Sequence, residues 1–398
     1  GGAQTFLTGH TANVCCLAYS GDGTILATGQ EGRLSIIRLW DNATGKCVAL
    51  LNGHFGGLCA LDVSAGGRGL AAVGLDSHGL QMIVVWDISM CLRGEKAKLV
   101  VKHSTDYHVK CLKFSPFEED RLMTCGRDSI RVYRLKGGKL RGCSIQLGEH
   151  GKSGAPRIPA GISGAHLSRN VFTDIAYEMS YGLTELTEKH VFVSSVSGAV
   201  FQINYGRRVL ECVFQLHNSA INSLVINDGF CVTGSDDRFL RVWPVDFSDF
   251  FLEAEHEAPV TSVAVSPDGL QIAVGTENGS IGTLDVPSHL YSTVMRSHTA
   301  TITAVAVDPR RAEFCTVSED GSIRVWDMYS SQQLYEFDAP GESPLSVAYH
   351  PAEYVVAVGF SNGMVRVFSI SSTSLIQEHR QHKGAVLDVL FVPDGSRI

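Results

Sequence analysis

The 398-residue chain has no apolar run near the ~20 residues that cross a bilayer as a helix. Its opening residues lack the basic start and apolar stretch of a signal peptide. It has 11 cysteines but no Cys-x-x-Cys pair. The cysteines lie in apolar runs such as VCCLAY (Val14 to Tyr19) and FCTV (Phe314 to Val317). They are therefore expected to be small core residues in a reducing compartment, with no metal or redox role. Positive charge is also short. Lys and Arg number 33 against 41 Asp and Glu, a net charge of -8. General nucleic-acid binding needs a positive field, so it is not expected.

Catalytic signatures are missing as well. There is no Gly-x-Ser-x-Gly elbow and no His-Glu-x-x-His helix. His256-Glu257 runs into Ala258-Pro259, where a zinc helix could not form. Gly151-Lys152-Ser153 resembles the tail of a phosphate loop, but Gln146 stands where its first glycine belongs. Acidic pairs such as Glu118-Glu119 and Asp236-Asp237 sit in turn-like stretches, where carboxylates favour local backbone hydrogen bonds. The expectation is a non-enzyme without catalytic residues, metal, cofactor or small-molecule substrate, and with neither membrane nor nucleic acid as partner.

Tryptophan is the scarcest residue, with four copies, and each stands in one setting. The phrases are IIRLWD (Ile36 to Asp41), MIVVWD (Met82 to Asp87), FLRVWP (Phe239 to Pro244) and GSIRVWD (Gly321 to Asp327). Histidines ahead of apolar runs recur with them: His10, His54, His103, His150, His217, His256, His298 and His382. Most spacings fall between about 39 and 49 residues, the range of a four-stranded blade. Glu342 stands where one His would be, and the gap after His150 holds an insertion. Within a period, an alternating strand such as VTSVAVS (Val260 to Ser266) leads to a turn such as SPDG (Ser266 to Gly269). A second strand ends in small residues, a third ends at Trp, and a fourth leads to the next His. Short strands, period-two alternation and Gly/Asp/Asn turns predict an all-β repeat fold.

These repeats resemble WD40 repeats, which form β-propellers. The resemblance implies that each Trp packs inside a blade, its indole N–H joined in a hydrogen-bonded chain with a Ser or Thr, a His and an Asp. The fullest sets are His217, Thr233, Asp237 and Trp243, and His298, Thr316, Asp320 and Trp326. A buried indole N–H needs such a partner. The Trp-Asp phrases therefore read as structural. The Trp-Asp-x-Arg signature of ubiquitin-ligase adaptors is absent.

Eight blades are expected, over residues 14–51, 58–102, 109–147, 171–216, 221–254, 260–296, 302–337 and 345–379. TFLTGH (Thr5 to His10) and AVLDVLFVPDGSRI (Ala385 to Ile398) read as parts of two more. The chain thus reads as a window on a tandem-propeller array. Residues 1–297 would form most of a first propeller. Residues 298–398 would begin a second or complete one large ring. The stretch 148–170 reads as an inserted loop, rich in Gly, Pro and Ser, and mobile.

Charge is uneven. Arg127, Arg131, Arg134, Lys136, Lys139 and Arg141 face only Asp128 within their run. From Asp246 the sign reverses, with Asp249, Glu253, Glu255 and Glu257. The basic run is a candidate patch for an acidic partner, where complementary charge would speed encounter and set orientation.

LATGQEGRLSIIRLWDNATGKC (Leu26 to Cys47) carries Ala-Thr-Gly-Gln in place of a short Asp turn. It is similar to the EMAP-like family of tandem-propeller microtubule-associated proteins. WPVDFSDFFLEAEHEAPVTSVAVSPDGLQ (Trp243 to Gln271), RSHTATITAVAVDPRRAEFCTVSEDGSIRVWD (Arg296 to Asp327) and QQLYEFD (Gln332 to Asp338) resemble the WD repeat-containing protein 90 family, also called proteome-of-centriole protein 16. That resemblance implies a scaffold of the centriole and basal-body wall in the cytoplasmic cytoskeleton. It would support centriole integrity and cilium assembly, with tubulin, microtubules and centriolar scaffold proteins as partners. The family's N-terminal microtubule-binding domain is not in this chain. The alternative is a cytosolic adaptor for ciliary transport, trafficking or ubiquitination.

Overall fold

A computed structural model of the chain describes residues 7–32, 35–54, 56–147, 156–158, 167, 169–179, 188–227, 229–295, 298–330 and 332–398. Among them the chain forms eight four-stranded sheets from strands β1 to β32, taken four at a time in chain order. Neighbouring strands within the sheets pair antiparallel, as short hairpin connections require. The sheets span residues 14–52, 56–104, 109–144, 172–215, 221–255, 260–295, 302–338 and 344–379.

Sequence explains the ladder order. The second strand is buried on both faces in most sheets, as in ILATGQ of β2 (Ile25–Gln30), where each residue is buried, while in sheet six Gln271 and Ala273 face outward. The third alternates, as in FLRVWP of β19 (Phe239–Pro244). The Ser-x-Asp-Gly turn closes the first hairpin. At Ser266–Gly269, the Gly269 N–H donates to Ser266 O at 2.9 Å with φ at +72°. Gly198 shows why a glycine also closes the second hairpin. Its φ is +78°, and a Cβ there would stand 2.1 Å from the His217 carbonyl oxygen.

The chain divides into two compact units, residues 2–274 and 275–398. The first holds sheets one to five, and the second holds sheets seven and eight; the dividing point falls within sheet six. In the first unit, successive sheets pack face to face through shared apolar cores. Leu39, Leu70 and Trp86 join sheets one and two; Val85, Leu122 and Tyr133 join two and three; Met123, Phe172 and Phe201 join three and four; Phe192, Leu224 and Trp243 join four and five. In the second unit, Val317, Val325, Val356 and Phe360 join sheets seven and eight.

Three details differ from the sequence reading. Residues 385–391 keep a first strand's side-chain pattern, with Val386 and Val389 buried against Val355, Ala357 and Val365. They form no ladder, because one backbone bond, Val386 N–H to Phe360 O, ties them to sheet eight. Residues 7–10 are likewise irregular, while Thr5 and Phe6 lie outside the described residues. In the insertion, Arg157 lies along the outer strand of sheet four and Leu167 is buried among Ile145, Phe172 and Val191. His150, Gly151 to Ser153 and most of the remaining insertion lie outside the described residues. Of the cysteines, Cys91, Cys111, Cys125, Cys231 and Cys315 are buried, whereas Cys15, Cys47, Cys59 and Cys143 are exposed. Small apolar runs on half-covered strands place their alternate residues outward, which the sequence reading overlooked.

Candidate functional site

Sheets five and seven assemble the expected hydrogen-bonded chains. In sheet five the Trp243 indole N–H donates to Thr233 Oγ1 at 2.9 Å. Thr233 Oγ1 lies 2.7 Å from His217 Nε2, and His217 Nδ1 lies 2.8 Å from Asp237. One directional chain satisfies all of them: indole N–H to hydroxyl, hydroxyl to Nε2, and Nδ1–H to carboxylate. Burial pushes His217 below its ordinary pKa against the pull of Asp237, so the neutral ring is the resident form. Sheet seven repeats this. Trp326 donates to Thr316 at 2.7 Å, Thr316 meets His298 at 2.7 Å, and His298 meets Asp320 at 3.1 Å. Burial opposes ionisation of Asp320, but bonds from Ser322 and Thr299 hold its carboxyl well below the usual range.

Sheet one builds the chain with another acceptor. Trp40 donates to Thr28 at 2.7 Å, Thr28 meets His10 at 2.7 Å, and His10 Nδ1 meets Gln30 Oε1 at 2.9 Å. The Ala-Thr-Gly-Gln stretch thus places an amide oxygen where sheets five and seven use a carboxylate. In sheet three, Tyr107 takes the histidine's place and its hydroxyl bonds Thr124.

The basic run is divided by the pleat of β11 (Ser129–Lys136) and β12 (Lys139–Ser144). The ladder sets Arg134 opposite Arg141 and Lys136 opposite Lys139, so these four share one face. Gly137 and Gly138, both at positive φ, make the two-residue turn that fixes this register. Arg134 is tied to Asp120 at 2.8 Å, whereas Lys136, Lys139 and Arg141 are exposed. Arg131 points to the other face, paired with Asp106 at 2.5 Å and stacked over Tyr107 at 4.6 Å. Arg127 stands apart in the preceding turn, exposed. The acidic run is partly neutralised: Arg241 meets Glu253 at 2.5 Å and Arg238 meets Glu255 at 3.1 Å.

The family model described as WD domain, G-beta repeat matches residues 2–41, 208–244 and 251–282. The blades are WD40 repeats. A second model, described as WDR90/POC16, second beta-propeller, matches residues 306–398. Along its whole length the chain is similar to "Centriole proteome protein 16" of Chlamydomonas reinhardtii, 51% identical over 401 residues, which are 19% of that protein. It is 40% identical to "WD repeat-containing protein 90" of Xenopus tropicalis, over 99% of this chain and 22% of that one. The "77 kDa echinoderm microtubule-associated protein" of Strongylocentrotus purpuratus is 24% identical over 99% of this chain and 54% of its own. The chain spans about a fifth of the length of the first two relatives.

Two recurring devices of these WD40 blades escaped the sequence reading. The first pairs an Arg two residues before the Trp position with a Glu directly across on the fourth strand: Arg241 with Glu253, Arg324 with Glu336 at 3.1 Å, and Arg366 with Glu378 at 2.8 Å. In blade eight Arg366 also binds Glu342, which explains the Glu where a His was expected. Aligning the Arg-Val-Trp phrases with later glutamates would have revealed this. The second is a clasp between inner strands. Thr173 donates to Ile221 O at 2.5 Å, Asn222 to Val260 O at 2.9 Å and, in the second unit, Thr303 to Pro344 O at 2.8 Å. Asp62 and Asp174 serve likewise, accepting the Phe114 and Leu224 N–H groups at 2.7 and 3.0 Å. Burial raises the Asp62 pKa, and Asp62 in turn holds Lys113 up. These groups bind neighbouring backbone, so they join blades.

Proposed function

We propose that this propeller chain is a non-enzymatic interaction scaffold of the centriole and basal-body microtubule wall. In this reading it supports centriole integrity and cilium assembly, sits in the cytoskeleton, and counts tubulin and centriolar scaffold proteins among its contacts. The observation that carries it is 51% identity, over the entire chain, to a protein named for the centriole proteome. The likeness to an echinoderm microtubule-associated protein supports the tubulin contact. The titratable groups described above bond to backbone or complete blades, which favours a rigid platform over a reactive site. We read residues 1–297 as most of one propeller and 298–398 as blades of the next, in keeping with the second-propeller match at 306–398.

Two measurements test this. In cells whose full-length protein lacks this segment, centriole length and ciliation should fall. Normal centrioles and cilia would sink the scaffold role. The 398-residue chain should pellet with microtubules at low salt and less at physiological salt. No pelleting at either salt removes the tubulin contact while leaving the scaffold reading to the first test.

A further inference from the structure

The outer strand of blade three combines three features. Its ladder stacks two like-charge pairs, Arg134 with Arg141 and Lys136 with Lys139, side by side on one face. Like charges directly opposite one another destabilise a sheet. Asp120 offsets Arg134. Among the described residues, no ion pair is formed by Lys136, Lys139 or Arg141. The second feature is an open edge. β12 pairs with β11 on one side, and no further backbone hydrogen bond reaches it among the described residues. The third is a precedent in the neighbouring blade. There an extended residue, Arg157, runs parallel to the outer strand β16 (Val209–Gln215). Its N–H donates to Glu211 O at 2.8 Å, and its carbonyl accepts the Val213 N–H at 2.9 Å.

We propose that β12 is a docking edge for an extended acidic polypeptide segment with carboxylates at alternate positions. The segment's backbone pairs with the free edge of β12. Its alternate carboxylates, about 7 Å apart, meet Lys139 and Arg141, which share that spacing. Lys136 and Arg134 lie one strand further in and extend the field. A nucleic acid fits less well. It lacks the amide donors that an open strand edge requires, and the Tyr133 ring on β11 is buried and unavailable for base stacking. This inference rests on the reading of the chain as a protein-binding scaffold and names one of its contacts.

The test is fluorescence anisotropy with the full 398-residue chain and a labelled peptide in which Glu alternates with Thr. Binding is expected at low salt and fades as salt rises. Lys139→Glu with Arg141→Glu should weaken it about tenfold, while Arg127→Glu, outside the face, leaves it unchanged. A peptide N-methylated on the edge-facing amides keeps its charge and should bind as weakly as the double variant. Equal binding by the Lys139→Glu/Arg141→Glu chain overturns the site. Undiminished binding of the N-methylated peptide overturns strand addition. Tighter binding of a single-stranded oligonucleotide of equal charge overturns the choice of partner. None of these outcomes bears on the deletion test of the scaffold role, so the two readings fail separately.

Discussion

Thr233→Val removes one oxygen from the centre of the blade-five chain and leaves the shape of the side chain nearly intact. Thr233 is fully buried, so the loss opens no path for water. Two groups lose their partner: the Trp243 indole N–H, 2.9 Å from the hydroxyl, and His217 Nε2, 2.7 Å away. A buried polar group left unsatisfied costs about 1–3 kcal/mol. Two such groups put the loss at about 2–6 kcal/mol, a large part of a domain's stability. Urea denaturation followed by tryptophan fluorescence reads this, with Trp243 itself among the probes. A double-mutant cycle sharpens the test. In Trp243→Phe the orphaned donor is gone, so Thr233→Val should cost at least about 1 kcal/mol less in that background. A single-variant loss under about 0.5 kcal/mol, or strict additivity, would refute a buried hydrogen-bonded chain.

Other perturbations test the same framework. Trp326→Phe should destabilise the second unit by about 1–3 kcal/mol, read as a lower melting temperature; an unchanged value would contradict the Thr316 bond. Gly198→Ala places a Cβ against the His217 carbonyl at positive φ and should lower the melting temperature more than Gly32→Ala, whose Cβ meets nothing within 4 Å. Burial holds His54, His217, His256 and His298 below their ordinary pKa, His54 at about 4. The unfolded chain then takes up protons near pH 6.5 that the folded chain refuses, so stability is full above that pH and falls below it. Glu178 holds His190 above its ordinary value, which contributes stability below pH 6.5 and loses it as pH rises. Four groups against one predict a urea midpoint that drops from pH 7 to pH 5; a rise would refute the assignment.

Much of this was legible because the signals are local. Period two and Asp/Gly turns place the expected seventh blade at residues 302–337, and its strands run from Ile302 to Asp338. The Trp, Thr, His and Asp of blades five and seven stand at fixed offsets, and the hydrogen bonds join those residues. Gln30 was harder, because an amide oxygen replaces a carboxylate and no offset announces that its acceptor is equivalent. The basic run shows where local reading stops. Six residues close in sequence became a quartet and two strays, since alternation turns Arg131 away from Arg134. The Gly137-Gly138 turn held the register, and reading it as a two-residue hairpin would have opposed Lys136 to Lys139 in advance.

That register leads to a last prediction, in which stability and binding move in opposite directions. In the native chain Lys136 faces Lys139 across the ladder, beside the Arg134–Arg141 pair. Both lysines are exposed, so the repulsion is screened and modest. Lys139→Glu converts one repulsive pair into an attractive one on the same backbone. It should leave the fold as stable as before, or more stable by a few tenths of a kcal/mol at low salt. The gain should vanish as salt rises. The same substitution removes a cation from the face proposed to hold an acidic strand, so binding of the alternating Glu–Thr peptide should weaken. A residue kept for packing would behave differently, because its loss would lower the melting temperature and the peptide affinity together. Thermal denaturation and anisotropy on one variant therefore separate the cases. A melting temperature that falls with Lys139→Glu at low salt would show that the lysine supports the sheet, and the like-charge argument for a docking edge would go with it.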